Sequence, residues 1–344
     1  IYTGYQGGIK NIEIMMFKLI IFCLIPIITL VSSQVIKSPD YIEYHKQINE
    51  TERLLSEREF GDALIIYEQV FKLYDFVFVR DYKVASQLAL YLDNKRKAFD
   101  YIQKGLVAGW ELKAVRKNHF LKPLQKDPEW KTIEQSYNNL HSQYEKRIDS
   151  DLREKVRLMF KEDQKKALGA LFRIGNKAQE RYGTKKFAPH SENQMFELIK
   201  ILDDQGYPGE QLIGNNYWMS TILSHHNSIS KEYVNQDTLY NFIKPKLIKA
   251  IENGQISPYE FAMIDDWYIA VNSGRTQTGY GFLNPPLSST LIETNKLREK
   301  IGLRTIELRN KLVDVENEPG LTEEFFYISN PALGLWALRS RFEE

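Results

Sequence analysis

The chain has 344 residues, 43% of them hydrophobic and 12% aromatic, with 46 Lys and Arg against 45 Asp and Glu. That apolar content excludes a disordered chain, and the balanced charge excludes recruitment of nucleic acid by a basic whole-protein field. The one cysteine, Cys23, lies in a segment expected to be removed. The rest of the chain therefore has no disulfide, thiolate nucleophile or cysteine metal ligand, and must rely on a buried core.

Residues 1–14 lie upstream of the first methionine, Met15, and read as a non-native segment outside the fold. Met15, Met16 and Lys18 precede an uncharged run over 19–31, after which Ser32, Ser33 and Gln34 turn polar. This is the layout of a secretory signal over 15–33, cut after Ser33. The apolar run makes a helix of roughly 20 Å, short of the ~30 Å hydrocarbon core, and Pro26 interrupts it. The expectation is an exported protein, periplasmic or secreted, with no stable membrane span after cleavage. The alternative is an anchor through an uncleaved signal.

The segment 34–141 is helical in pattern. Ala63, Tyr67 and Val70 recur as Ala98, Ile102 and Gly105, 35 residues later, with Tyr82, Ala85, Ser86 and Ala89 between them. Small residues at these positions let two helices approach closely, and large ones fill the groove. The pattern resembles the tetratricopeptide (TPR) repeat, whose period is about 34 residues. The resemblance implies helical hairpins with a concave face for a protein or peptide partner. It is partial: the helix around 48–55 lacks the aromatic of that family. A third, degenerate unit holds Trp110, Phe120, Leu121, Leu124 and Trp130, with Asp127 as N-cap and Pro128 in the first turn. An ordinary helical bundle is the alternative.

A second helical domain is expected over 142–344, making the fold class all-α. A long helix over 142–181 is broken near Gly169 or Gly175. Helices over 191–204, 214–226 and 237–253 follow, the last kinked at Pro245. Ser257, Pro258 and Glu260 spell a capped helix start. A Gly-rich loop or short hairpin follows over 275–281, then helices over 289–314 and 323–342.

Several short motifs fall in order here: Asp163-Gln164; Gly206-Tyr207-Pro208-Gly209; His226 at a helix end; Ala262 with Asp266; Gly274, Gln277 and Tyr280-Gly281; and Leu297-Arg298 with Ile301-Gly302-Leu303. Over about 151–313 the set resembles a bacterial domain family of unknown function. Its members share a D-Q pair, a G-[WY]-P-G turn, a Q-H helix end, a D-R pair and a G-x-x-Q-x-Y-G-T loop. The resemblance implies a shared pocket and no particular activity. Ser224-His225 replaces the Gln before His226, Trp267 stands where the family has Arg, Gly279 lengthens the loop, and Phe282 replaces Thr.

Those motifs supply the candidate site. His226, Asp266 and Asp163 are the candidate catalytic groups, with Gln164, His225, Gln277 and Tyr280 as ligand-binding groups in one polar cleft. Histidine titrates near neutral pH, which suits His226 to carrying a proton. A helix-terminal or core histidine is the structural alternative. Asp266 is read either as a general base that orients His226, or as a buried partner for a cation, a Tyr hydroxyl or a loop amide. His225 and His226 are adjacent and diverge by about 100° on a helix, so they cannot chelate one metal. No phosphate loop and no G-x-S-x-G elbow occurs, so no cofactor and no metal are expected. The expected function is that of an exported protein that binds a protein, a peptide or a small polar ligand; the alternative is a hydrolase- or lyase-type enzyme.

Overall fold

A computed structural model describes residues 40–316; the expected signal and the expected helix over 323–342 lie outside them. The described residues are all-α, without a strand. The helices are α1 (Tyr41–Ser56), α2 (Phe60–Leu73), α3 (Val79–Tyr91), α4 (Lys95–Val107), α5 (Leu112–Lys117), α6 (Pro128–Arg147), α7 (Ser150–Leu171) and α8 (Asn176–Tyr182). Then come α9 (Ala188–Asp204), α10 (Glu210–Ile213), α11 (Trp218–His226), α12 (Lys231–Gln236), α13 (Leu239–Glu252), α14 (Pro258–Asn272), α15 (Leu291–Lys300) and α16 (Ile306–Glu316). A 3-10 turn (Lys122–Lys126) precedes α6, and a π-helical turn (Gly183–Phe187) joins α8 to α9. Among the described residues no helix is long and apolar enough to cross a membrane.

The expected helix over 142–181 is three helices. Asp149, whose side chain accepts from the Leu152 amide at 2.8 Å, caps a new helix two residues after α6 ends. The glycines at 169 and 175 bracket the second break. Asp127 caps α6 and Ser257 caps α14, each by a side-chain bond to a first-turn amide.

Two hydrophobic cores form. The first gathers α1–α6. Helix α1 pairs with α2, and α3 with α4, as helical hairpins. Ala63, Ala85, Ala89 and Ala98 are fully buried at these crossings. At Gly105 an added Cβ would sit 2.9 Å from the Trp110 ring. Ala98→Leu is expected to cost roughly 1–3 kcal/mol by overpacking, read as a lower midpoint in thermal unfolding. Tyr41 and Tyr44 pin the connection between α2 and α3. Tyr41 donates to the Phe76 carbonyl at 3.0 Å and accepts from its amide, and Tyr44 donates to Asp81 at 2.5 Å.

The second core gathers α7, α9, α11, α13 and α14. Helix α16 then returns to the first core, where Leu312 and Val315 are buried against α1. The turn before it is locked: the Gly302 carbonyl accepts from Asn49, and a Cβ at Gly302 would meet His45 at 2.9 Å. A buried charge cluster joins the two parts. Glu52 of α1 faces Arg80 of α3 at 2.5 Å and Arg304 at 3.0 Å. Arg80 also meets Asp81 at 3.1 Å, and both guanidiniums lie over the Tyr259 ring.

Candidate functional site

The candidate residues fall into three hydrogen-bonded groups. The first is built on α7 and α11. Asp163 sits on the buried face of α7, and α11 packs against that face so that its last turn delivers His225. Asp163 Oδ2 lies 2.6 Å from His225 Nδ1 and accepts from Gln164 Nε2 at 3.3 Å. The Asp163 side chain is 0% exposed and that of His225 31%. A carboxylate only accepts, so it holds the imidazole proton on Nδ1 and leaves Nε2 as the accepting nitrogen of the neutral ring.

Two neighbours complete this group. Phe187, from the π-helical turn, sets its ring edge-on to both His190 and His225, with centroids 6.3 Å apart in each pair. Burial lowers the His190 pKa, and the Asp163 charge opposes that. His190 Nε2 and Asp163 Oδ1 are both buried without a hydrogen-bond partner. Each retains hydrogen-bonding capacity that no protein group meets. Gln164 extends the group into a groove of about 540 Å³ along α7, lined also by Phe160, Lys161, Lys165, Leu168 and Phe172.

His226 belongs to a second, closed group. It is 1% exposed. Its Nδ1 is 2.9 Å from Ser191 Oγ, and its Nε2 is 3.3 Å from Asp237, within ion-pair distance though off the hydrogen-bond axis. The trio has the residue types of a Ser-His-Asp triad, but Ser191 is 0% exposed, so no substrate reaches its hydroxyl. Asp237 also accepts from the Leu239 and Tyr240 amides at 2.9 Å and so caps α13. The carboxylate facing His226 is thus Asp237 and not Asp266.

Asp266 anchors the third group. Oδ1 accepts from the Tyr280 amide at 2.6 Å, and Oδ2 from the Phe282 amide at 2.7 Å. Burial pushes its pKa up to about 7 against the pull of those amides. Gly279 has φ +63°, and a Cβ there would lie 2.3 Å from Asp266 Oδ1, so a glycine at this position lets the loop close on the carboxylate. Tyr280 is buried against Phe261, and its carbonyl accepts from Arg298 at 2.7 Å. Gln277 is exposed on the outer side of the loop, where its carbonyl accepts from Asn284 at 2.6 Å. Trp267 lies under the Arg275 guanidinium at 5.9 Å. Asp265 is also a buried partner, accepting from Tyr240 at 2.9 Å and from Lys244 at 2.8 Å.

Asp266→Ala strands two loop amides at about 1–3 kcal/mol each. The expected result is a lower unfolding midpoint and faster tryptic cleavage after exposed Arg275; unchanged cleavage would show that the loop does not depend on Asp266.

No protein-family model, curated protein or solved structure matches the chain. Among the described residues no group of three or more His, Cys, Asp or Glu is placed to hold a metal ion.

Sequence reasoning missed Ser191, Asp237, His190 and Phe187. Asp237 carries a legible signal, because an acid two residues before a helix is a capping position. Nothing local marks the others, whose role comes from helices that meet only in the fold.

Proposed function

We propose that the protein is an acid–base catalyst of hydrolase or lyase type, with His225 as the proton carrier and Asp163 as the residue that orients it. The single observation that carries the reading is the 2.6 Å contact between a wholly buried carboxylate and a part-exposed imidazole. The carboxylate fixes one ring nitrogen, and the other is left to work on a bound group. Gln164 supplies a polar contact, and the groove beside it, lined by Phe160, Leu168 and Phe172, supplies an apolar surface for the hydrophobic part of a substrate. The test is turnover of chromogenic ester, phosphoester and glycoside panels by the purified chain. His225→Gln is expected to lower the rate at least about 100-fold with the helical circular dichroism unchanged. A rate unaffected by His225→Gln and Asp163→Asn overturns the assignment.

A second observation favours ligand binding. A cleft of about 590 Å³ lies where the helical hairpins meet the start of α7, lined by Lys83, Trp110, His141, Tyr144, Glu145 and Arg153. Both signs of charge beside two large rings suit a polar peptide, the partner expected of a TPR-like array. Quenching of tryptophan fluorescence on titration with peptides, lost in Trp110→Phe, tests this reading. Export to the periplasm or medium, with Gln34 as the first residue, is part of the proposal; N-terminal mass analysis of the exported protein checks it.

A further inference from the structure

The turn between α7 and α8 is unlike the rest of the surface. Phe172 is 81% exposed and Ile174 97%, and Leu168, one turn back on α7, is 50% exposed. The chain reverses here. Gly175 has φ +90°, and a Cβ built on it would meet nothing within 4 Å, so the apex stands in open solvent. The reversal is held behind the apex: Tyr182 of α8 donates to the Lys166 carbonyl at 3.0 Å, and its ring fills the space that a side chain at residue 169 would need. The two largest apolar groups of this turn thus project from a braced hairpin instead of folding back on it.

Charge surrounds the same apex. Residues 161–186 carry eight Lys and Arg against three Asp and Glu, and one of those acids is the buried Asp163. The whole chain is balanced at +1, so this hairpin concentrates a local charge of +5. Lys165, Arg173, Lys177 and Lys185 are exposed around it.

We propose that the α7–α8 apex docks the protein on an anionic lipid bilayer surface. Phe172 and Ile174 enter the headgroup–acyl boundary, and the flanking cations meet lipid phosphates. Apolar tips with basic flanks are what a charged bilayer surface rewards, since burial and Coulomb attraction then act together. A nucleic acid matches the charge but offers nothing to Ile174, which has no ring to stack on a base. Exposed aromatic and aliphatic groups at an open apex have no covering element among the described residues, and the bilayer is the occupant that complements both them and the charge.

The experiment is co-sedimentation of the full chain with vesicles of phosphatidylglycerol and, separately, of phosphatidylcholine. Binding is expected to the first and not the second. The double variant Phe172→Ser, Ile174→Ser is expected to weaken it about tenfold or more. Lys165→Glu with Lys177→Glu should weaken it about fivefold or more per residue. These side chains are exposed, so circular dichroism should match the parent. A Phe172→Trp variant should be quenched by brominated phosphatidylglycerol, which reports entry into the acyl region. No sedimentation with phosphatidylglycerol, or sedimentation unaffected by the double serine variant, overturns the proposal. Binding to heparin with equal strength and equal indifference to the serine changes would assign the patch to polyanions and overturn it as well.

Discussion

Glu52→Ala is expected to destabilise the protein by about 3–5 kcal/mol. Glu52 lies between two guanidiniums, Arg80 at 2.5 Å and Arg304 at 3.0 Å. Removing it leaves Arg304, 2% exposed, with the Tyr259 hydroxyl and no carboxylate, and its second nitrogen already lacks a hydrogen-bond partner. Desolvating a cation with no counter-charge is what costs, far more than the loss of one contact. The pair also joins the first core to the second, so its loss should loosen the closure of residues 302–316 on α1. Urea unfolding of the single variants and of Glu52→Leu with Arg304→Met measures this. The double variant should be less destabilised than the sum of its parts, because neither member of the Glu52–Arg304 pair is left without the other and Arg80 keeps Asp81. A single-variant loss below about 1 kcal/mol would show that water reaches the cluster.

Stability is expected to fall as pH rises from about 5 to about 8. Burial pushes Glu210, Glu260 and Asp266 each up to about 7. A carboxyl whose folded pKa lies above its unfolded value keeps its proton longer when folded. Its contribution is full below the unfolded value and is lost as pH rises through the folded one, with a slope of up to about 1.4 kcal/mol per pH unit for each group. Burial shifts Asp81 in the same direction. His45 acts oppositely: burial, with help from Arg80, lowers it to about 3, so folding gains as pH rises toward the unfolded histidine value. His190 is lowered as well. Those two gains end near pH 6.5, and above that only the carboxylates act, so the steepest loss is expected between about pH 6.5 and about pH 7.5. Thermal melts across this range check the sign. Glu260→Gln keeps an acceptor for the Tyr207 hydroxyl, which donates to Glu260 at 2.7 Å, and removes the charge. It should raise the midpoint at alkaline pH and change little at acid pH; a midpoint that rises with pH in the parent protein would contradict the reading.

The all-α class, several helix starts and the small residues at the helix crossings could be read from the chain, whereas the expected helix over 289–314 is two helices, α15 and α16, parted by the turn over 301–305. Local chemistry controls those features: Asp127 with Pro128 and Ser257 with Pro258 must start helices wherever they sit, and the alanine spacing around Ala63 and Ala98 has meaning only on a helix. The break at Asp149 was legible too, as a capping acid, but the run of charged residues around it looks like one continuous solvated helix. Residue types also marked His225, His226 and Asp266 as unusual, while Asp163 stood out only through the resemblance. What the chain could not say is how they pair. Adjacent histidines on one helix end point in different directions, and only the packing of α7, α9 and α13 around α11 decides their surroundings. His225 turns to Asp163 and solvent, while His226 turns inward to Ser191 and Asp237. In the same way, whether Asp266 faces a substrate or its own loop depends on where the Gly279 turn brings the backbone amides back. Composition and period determine which residues are buried and in what element. Which polar groups meet is set by contacts between residues tens of positions apart, and only the tertiary structure fixes those.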